Sequence, residues 1–359
     1  MPTLFSEFRL KDVTLKNRIA VSPMCQYSAP NGFAGDWHLV HLGARAIGGA
    51  ALVIAEATAV SPEGRITPGC TGIWSDAHAE RFVPVARFIK TQGSVPGIQL
   101  AHAGRKASAY IPWEGQGNLP HDDAQAWQPI GPSEVEFGGP LNRVPRAMTK
   151  EDILQVQKNF ADAAKHALAA GFEWVELHFA HGYLAQSFFS PIANKRADEY
   201  GGNFAGRARF IMETFSAVRA IWPERFPLTV RLGMTDFHHE SQPLEESIEL
   251  VRQLKSRGLD LVDPSLGGNS PDVSGVPYGP GFMVPIAERV KREAQILVAV
   301  SWQITGPAQA DTIIREGRVD LILLARAMLD DPHWPFHAAK ALGIPEYKKV
   351  LPPQYHRVA

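Results

Sequence analysis

The chain has 359 residues, 45% of them apolar and 20% charged, with a formal net charge of −1. That composition describes a globular protein with a full core and no basic block to hold nucleic acid or an anionic membrane surface. Its two cysteines, Cys25 and Cys70, exclude a disulfide framework and a cysteine-ligated iron–sulfur cluster, which needs about four thiolates.

In chain order, residues 1–12 lack the basic and apolar regions of a secretory signal, and no apolar run is long enough to span a bilayer. A cytoplasmic protein is expected. Strand-like apolar runs follow at 18–24, 51–56, 96–101, 172–178, 228–232, 259–262, 296–300 and 319–324. Amphipathic helical patterns lie at 38–47, 76–92, 150–170, 204–221, 244–257, 284–294, 307–316 and 333–341. This alternation predicts an α/β fold, a (β/α)₈ TIM barrel, in one domain over 1–359. Thr149 with Asp152 forms a capping box, Pro307 after Gly306 suits a first helical turn, and Gly171 and Gly258 sit where helices end in a left-handed residue. Residues 102–148, rich in Gly, Pro and Trp and without a sustained period, predict a lid-like loop after the third strand.

The carboxyl ends of barrel strands carry the chemistry of this fold. Here they read Pro23-Met24-Cys25-Gln26-Tyr27, Glu56-Ala57-Thr58, Gln99-Leu100-Ala101-His102, His178-Phe179-Ala180-His181-Gly182-Tyr183-Leu184, Arg231, Ser301-Trp302-Gln303-Ile304-Thr305-Gly306 and Ala325-Arg326. The Thr-Gly-Pro turn and Arg326 suit a phosphate, since free N–H groups, a positive helix end and a guanidinium converge after the last two strands. An ordinary connection with a surface arginine is the alternative. The His178 motif lacks helical metal-ligand spacing and a carboxylate, so no metal is expected. Two readings remain: core histidines satisfied by backbone, or two imidazoles that bind an oxygen while Tyr183 donates a proton to a basic centre such as an enolate.

These motifs, together with Asn17-Arg18-Ile19-Ala20, Ala103-Gly104-Arg105, Asn194-Lys195-Arg196 and Tyr200-Gly201-Gly202, resemble the old yellow enzymes. The cysteine of the first motif resembles the thermophilic-like class. Pro62-Glu63-Gly64-Arg65, Trp74-Ser75-Asp76 and Asp331-Pro332-His333-Trp334 resemble its bacterial xenobiotic reductases. The likeness spans nearly the whole chain. It implies an FMN-dependent ene-reductase fed by NADPH or NADH, acting on α,β-unsaturated carbonyl compounds and on nitro-group xenobiotics, as a homodimer or higher homo-oligomer.

By position, the resemblance implies that Gln99 and Arg231 hold the flavin pyrimidine edge and that Pro23, Met24 and Ala57 lie against its ring. Cys25 modulates the flavin. Gln303, Thr305, Gly306, Ala325 and Arg326 bind the phosphate, with Ala325 standing where relatives carry glycine. His178 and His181 grip the substrate carbonyl, Tyr183 is the proton donor, and Tyr27 and Trp302 shape the pocket. Arg357 enters a neighbouring subunit's site; the chain stops at Ala359, without the aromatic residue relatives carry beyond it. Pro264 is expected to mark the end of the sixth strand. The alternatives are a 2,4-dienoyl-CoA-type reductase, a non-redox phosphate-binding aldolase or isomerase barrel, and a non-catalytic flavin-binding protein.

Overall fold

Eight parallel strands close into a barrel in the computed structural model, which describes residues 1–357. They are β1 (Ile19–Val21), β2 (Leu52–Ala59), β3 (Val95–Ala101), β4 (Trp174–Phe179), β5 (Leu228–Thr235), β6 (Leu261–Leu266), β7 (Leu297–Val300) and β8 (Leu321–Leu324). Each pairs with its successor and β8 pairs with β1. The intervening helices are α1 (Asp36–Ile47), α2 (Asp76–Thr91), α3 (Lys150–Ala170), α4 (Phe204–Arg219), α5 (Leu244–Ser256), α6 (Val284–Ala294) and α7 (Pro307–Arg315), and α8 (Trp334–Ala341) follows β8. The strands are apolar nearly throughout because helices cover one face and the barrel interior the other. Among the described residues no helix is long and apolar enough to cross a membrane.

The local signals act as predicted. Thr149 Oγ1 accepts the Asp152 N–H at 3.1 Å while Asp152 Oδ2 accepts the Thr149 N–H at 2.8 Å, starting α3. Gly171 closes it with φ of 93°, a left-handed angle that glycine adopts without strain. The larger core lies between strands and helices, and includes Phe82, Phe160, Phe172, Phe210 and Phe215. A second apolar cluster stoppers the amino-terminal end of the barrel: a hairpin of Phe8–Leu10 with Val13–Leu15 packs on Leu52, Trp174, Leu261 and Leu321. The open carboxyl end is left for the site.

Pro264 does not end β6; it lies inside the strand. Past Val262 the strand pairs only with β5, while its ladder to β7 covers Leu261 and Val262. A residue without an N–H is tolerated where one side has no partner. The 102–148 segment is also less irregular than expected, since Ile130–Gly131 and Arg146–Ala147 form a small parallel ladder within it.

Candidate active site

His178, His181 and Tyr183 come together because β4 ends at Phe179 and the chain then turns sharply. His181 has φ of 61° and Gly182 of 68°. A side chain at 182 would run into the Gly268 carbonyl, which lies 2.0 Å from where its Cβ would be, so only glycine permits the loop after β4 to lean on the loop after β6. The imidazole rings of His178 and His181 are 4.8 Å apart, and the Tyr183 ring lies 5.0 Å from His178 and 6.4 Å from His181. His181 Nε2 meets Ser265 Oγ at 2.7 Å, and that oxygen also accepts the Trp302 Nε1–H at 2.9 Å. Trp302 is a donor only, so the serine hydroxyl keeps its proton available for His181 Nε2, an arrangement in which the imidazole proton lies on Nδ1. His178 Nδ1 is buried with no protein partner. The reading as core histidines satisfied by backbone therefore fails for both rings.

The electrostatics set protonation states. Burial holds His178 well below its ordinary value, with His181, Arg231 and Lys106 adding. Burial, Arg231 and Lys106 do the same for His181. Both rings are neutral N–H donors at physiological pH. Burial holds the Tyr183 phenol well above its ordinary value, so it keeps its proton. Lys106, just past β3, passes between these groups: its ammonium donates to the His181 carbonyl at 3.0 Å and sits 5.3 Å from the Tyr183 ring centre and 4.3 Å from that of Phe137. Its neighbour Arg105 donates to the carbonyls of Glu136 at 2.8 Å and Asn269 at 2.6 Å, tying the long loop to the loop after β6.

Beside the cradle opens a cavity of about 880 Å³, walled by Ser22, Pro23, Arg231, Gln303, Thr305 and Arg326 among others. His181, Trp302 and Ala325 also line it. Trp302 and Gln303 have φ of 74° and 51°, sparsely populated angles for side-chain-bearing residues that concentrate at functional sites. Ala325 takes φ of −107°, so the methyl that replaces the family's glycine meets no left-handed backbone. Gly306 caps α7 with Pro307 in its first turn. Among the described residues Arg326 has no hydrogen bond or ion pair, and it stands exposed at the cavity's edge.

Arg231 donates from Nε to Asp263 Oδ2 at 2.6 Å and from its terminal nitrogen to Ser22 Oγ at 3.0 Å. Gln99 reaches it indirectly: its amide donates to Glu176 Oε1 at 2.7 Å, which lies 3.6 Å from Arg231 Nε. Cys25 is partly exposed, and burial with contributions from Cys70 and Glu56 pushes its thiol up. The loop that carries it hangs on Glu56, which interrupts the β2 register between Ala55 and Ala57 and accepts the Gln26 N–H at 3.1 Å. Ala57 is buried on β2, and Met24 packs on the main core. Tyr27 lines a second cavity of about 660 Å³ with Ile111 and residues 124–127, and its phenol is near enough to Tyr183 to act on it. Arg357 is exposed.

Glu176, Asp263, Ser265 and Lys106 received no role from sequence reasoning. A signal existed for the first three, since polar side chains in strands buried on both faces must meet partners. Lys106 gave none, being one charge within a polar loop.

Comparison with known proteins gives the family. A family model described as the NADH:flavin oxidoreductase / NADH oxidase family matches residues 3–344. An NADPH dehydrogenase of Geobacillus sp. (strain WCH70) is 42% identical over 342 residues, covering 95% of this chain and 94% of the relative. One from Bacillus licheniformis is 40% identical over 356 residues, with 99% and 98% covered. Among solved structures, morphinone reductase superposes with a TM-score of 0.79 at 25% identity, covering 95% of this chain and 90% of that one. A 2-naphthoyl-CoA reductase shares the fold with a TM-score of 0.85 at 24% identity over 96% of this chain and 53% of that one. The non-redox aldolase reading falls with these matches. The chain belongs to the NADH:flavin oxidoreductase / NADH oxidase family, that of the old yellow enzymes, and is an FMN-dependent NAD(P)H oxidoreductase.

Proposed function

We propose that the protein reduces the activated C=C bond of α,β-unsaturated carbonyl compounds, with nitro-group xenobiotics as further substrates of the same site. The observation that carries this reading is the buried cradle of His178, His181 and Tyr183, in which His178 Nδ1 has no protein partner. Neutral imidazole donors and a protonated phenol match a carbonyl oxygen that gains negative charge and a carbon that gains a proton.

The residues present fit FMN. Arg231 supplies a fixed positive charge at one part of the 880 Å³ cavity, and the unpartnered Arg326 with the α7 amino terminus suits a phosphate at another. Gln99 and Arg231 would hold the pyrimidine edge, Pro23, Met24 and Ala57 would flank the ring, and Gln303, Thr305, Gly306, Ala325 and Arg326 would take the phosphate. When bound, FMN supplies the hydride that NAD(P)H has given it.

The chain's own residues do the rest. His178 and His181 grip the substrate oxygen and stabilise the enolate that develops when hydride reaches Cβ. Tyr183 delivers its proton to Cα. Lys106 then faces a tyrosinate, and its ammonium beside the ring offsets that charge. Cys25 stays a thiol near the ring, Tyr27 and Trp302 bound the substrate's space, and residues 102–148 cover it. Arg357 completes the site of a second copy in a homodimer or higher homo-oligomer.

Mixing NADPH-reduced holoenzyme with a cyclic enone without oxygen is expected to yield the saturated ketone and one oxidised flavin per ketone. Failure to form ketone sinks the reading. His178→Ala should weaken the binding of phenolate ligands at least tenfold, read from their charge-transfer absorbance; unchanged affinity removes His178 from the cradle.

Lys106 gives the site an alkaline limit. Burial lowers its ammonium to about 8, helped by Arg105 and opposed by Asp236. The charged form exists below that value, so support for the tyrosinate is lost as pH rises through it. The rate of enone reduction is expected to fall above about pH 8, and Lys106→Met should be slower and flat over the same range. A variant that keeps the wild-type profile refutes the assignment.

A further inference from the structure

The barrel interior at Arg231 holds more negative than positive charge. Glu176 on β4 and Asp263 on β6 flank Arg231 on β5, and their exposures are 1%, 0% and 5%. Two carboxylates against one guanidinium leave a net charge of −1 if all three ionise. Arg231 has no proton to give up; Asp263 and Glu176 outweigh the effect of its burial and hold it above its ordinary value. An uncompensated charge in such a place costs several kcal/mol. A proton taken up on one carboxylate would relieve that cost.

The geometry distinguishes the two acids. Asp263 is in direct contact with Arg231 at 2.6 Å, whereas Glu176 stands at 3.6 Å and takes its nearest hydrogen bond from a neutral amide, Gln99, at 2.7 Å. Asp263 Oδ1 is buried without a hydrogen-bond partner. The groups that act on Glu176 are Arg231 from β5, Asp263 from β6 and Gln99 from β3. Burial pushes Glu176 up to about 7 against the pull of Arg231; Asp263 adds to the rise and Gln99 opposes it. Asp263 is also raised by burial, with Arg231 opposing.

We propose that Glu176 is the proton-holding residue of the flavin site, taking up one proton from solvent as the flavin is reduced and returning it on reoxidation. The proposal rests on the reading that Arg231 and Gln99 hold the flavin's pyrimidine edge. The nicotinamide is oxidised and passes a hydride, two electrons with one proton, to FMN, which gains one negative charge beside the cluster. The Glu176 carboxylate binds one solvent proton to become the neutral acid, so the charge of cluster and ring together is unchanged. When hydride leaves for the substrate, that proton returns to solvent. Glu176 does not touch the reacting atoms; it is a positioning residue for charge.

The test is the midpoint potential of the holoenzyme's flavin from pH 5.5 to 9. One proton per two electrons gives a slope of about 30 mV per pH unit. Wild type is expected to show that slope on the acid side, where Glu176 already holds its proton, and about twice it above neutrality. Protonation of the reduced ring itself would steepen the acid side instead. Glu176→Gln keeps the acceptor for Gln99 and should hold the single-proton slope throughout. An indicator dye in weak buffer at pH 8 should show about one proton more taken up per flavin photoreduced in wild type than in the variant. A single-proton slope in wild type above pH 7, or a variant that retains the steep limb, overturns the proposal. Arg231→Lys separates the underlying reading: if it changes neither FMN affinity nor potential, the flavin does not lie against Arg231 and that reading fails first.

Discussion

Tyr183→Phe is expected to slow enone reduction by the reduced holoenzyme by about 10²–10⁴-fold, the usual contribution of a placed general acid. The rate at which NAD(P)H reduces the flavin should change by less than about threefold, because hydride transfer from nicotinamide needs no proton from the protein. The asymmetry follows from the geometry. The Tyr183 ring is 5.0 Å from His178, so under the proposed reading the phenol would stand beside the carbonyl held by the imidazoles. Loss of the hydroxyl would leave Cα without a donor while the oxygen stays bound. Because burial raises the phenol, the wild-type reaction should show no loss from Tyr183 ionisation up to pH 9, and any alkaline limb belongs to Lys106. Rapid mixing of each half-reaction decides it. Equal slowing of both halves would place Tyr183 in the architecture of the site and remove it as the acid.

The barrel was legible because each signal is local and repeated: eight apolar runs, eight amphipathic runs, and glycines such as Gly171 where helices end. The residues of the cradle were legible for a similar reason, since His178, His181 and Tyr183 lie within one turn of chain and their proximity hardly depends on the rest of the fold. The second layer was not. Ser265 orients His181 from a strand 84 positions away, and nothing near either residue announces the other. Lys106 is three residues from Ala103 in a polar loop, and only the fold of the long loop carries it past Tyr183. Pro264 misled because proline's missing N–H was weighed without knowing that β6 has one partner beyond Val262. Charge balance was the least visible property. Glu176, Arg231 and Asp263 sit on three strands, and their sum becomes meaningful only when the barrel brings them together.

That sum also predicts a large effect on stability. Arg231→Gln leaves Glu176 and Asp263 buried with no cation, and breaking such a pair costs about 3–5 kcal/mol. The penalty should depend on pH. A carboxyl group with a folded value raised above its unfolded one favours the fold below the unfolded value and loses that advantage as pH rises through the folded one. In wild type the window for Glu176 runs from the ordinary carboxylate range to about 7. Without the guanidinium both acids titrate higher still, so the window extends to more alkaline pH. Thermal unfolding of the FMN-free protein should therefore show a gap between wild type and variant that is small near pH 5 and widens towards pH 8. Adding Asp263→Asn to Arg231→Gln removes one of the stranded charges and should recover stability at pH 8 with little change at pH 5, without restoring FMN affinity. A gap that stays constant with pH would mean that lost packing of the arginine side chain, and not stranded charge, is what the substitution costs.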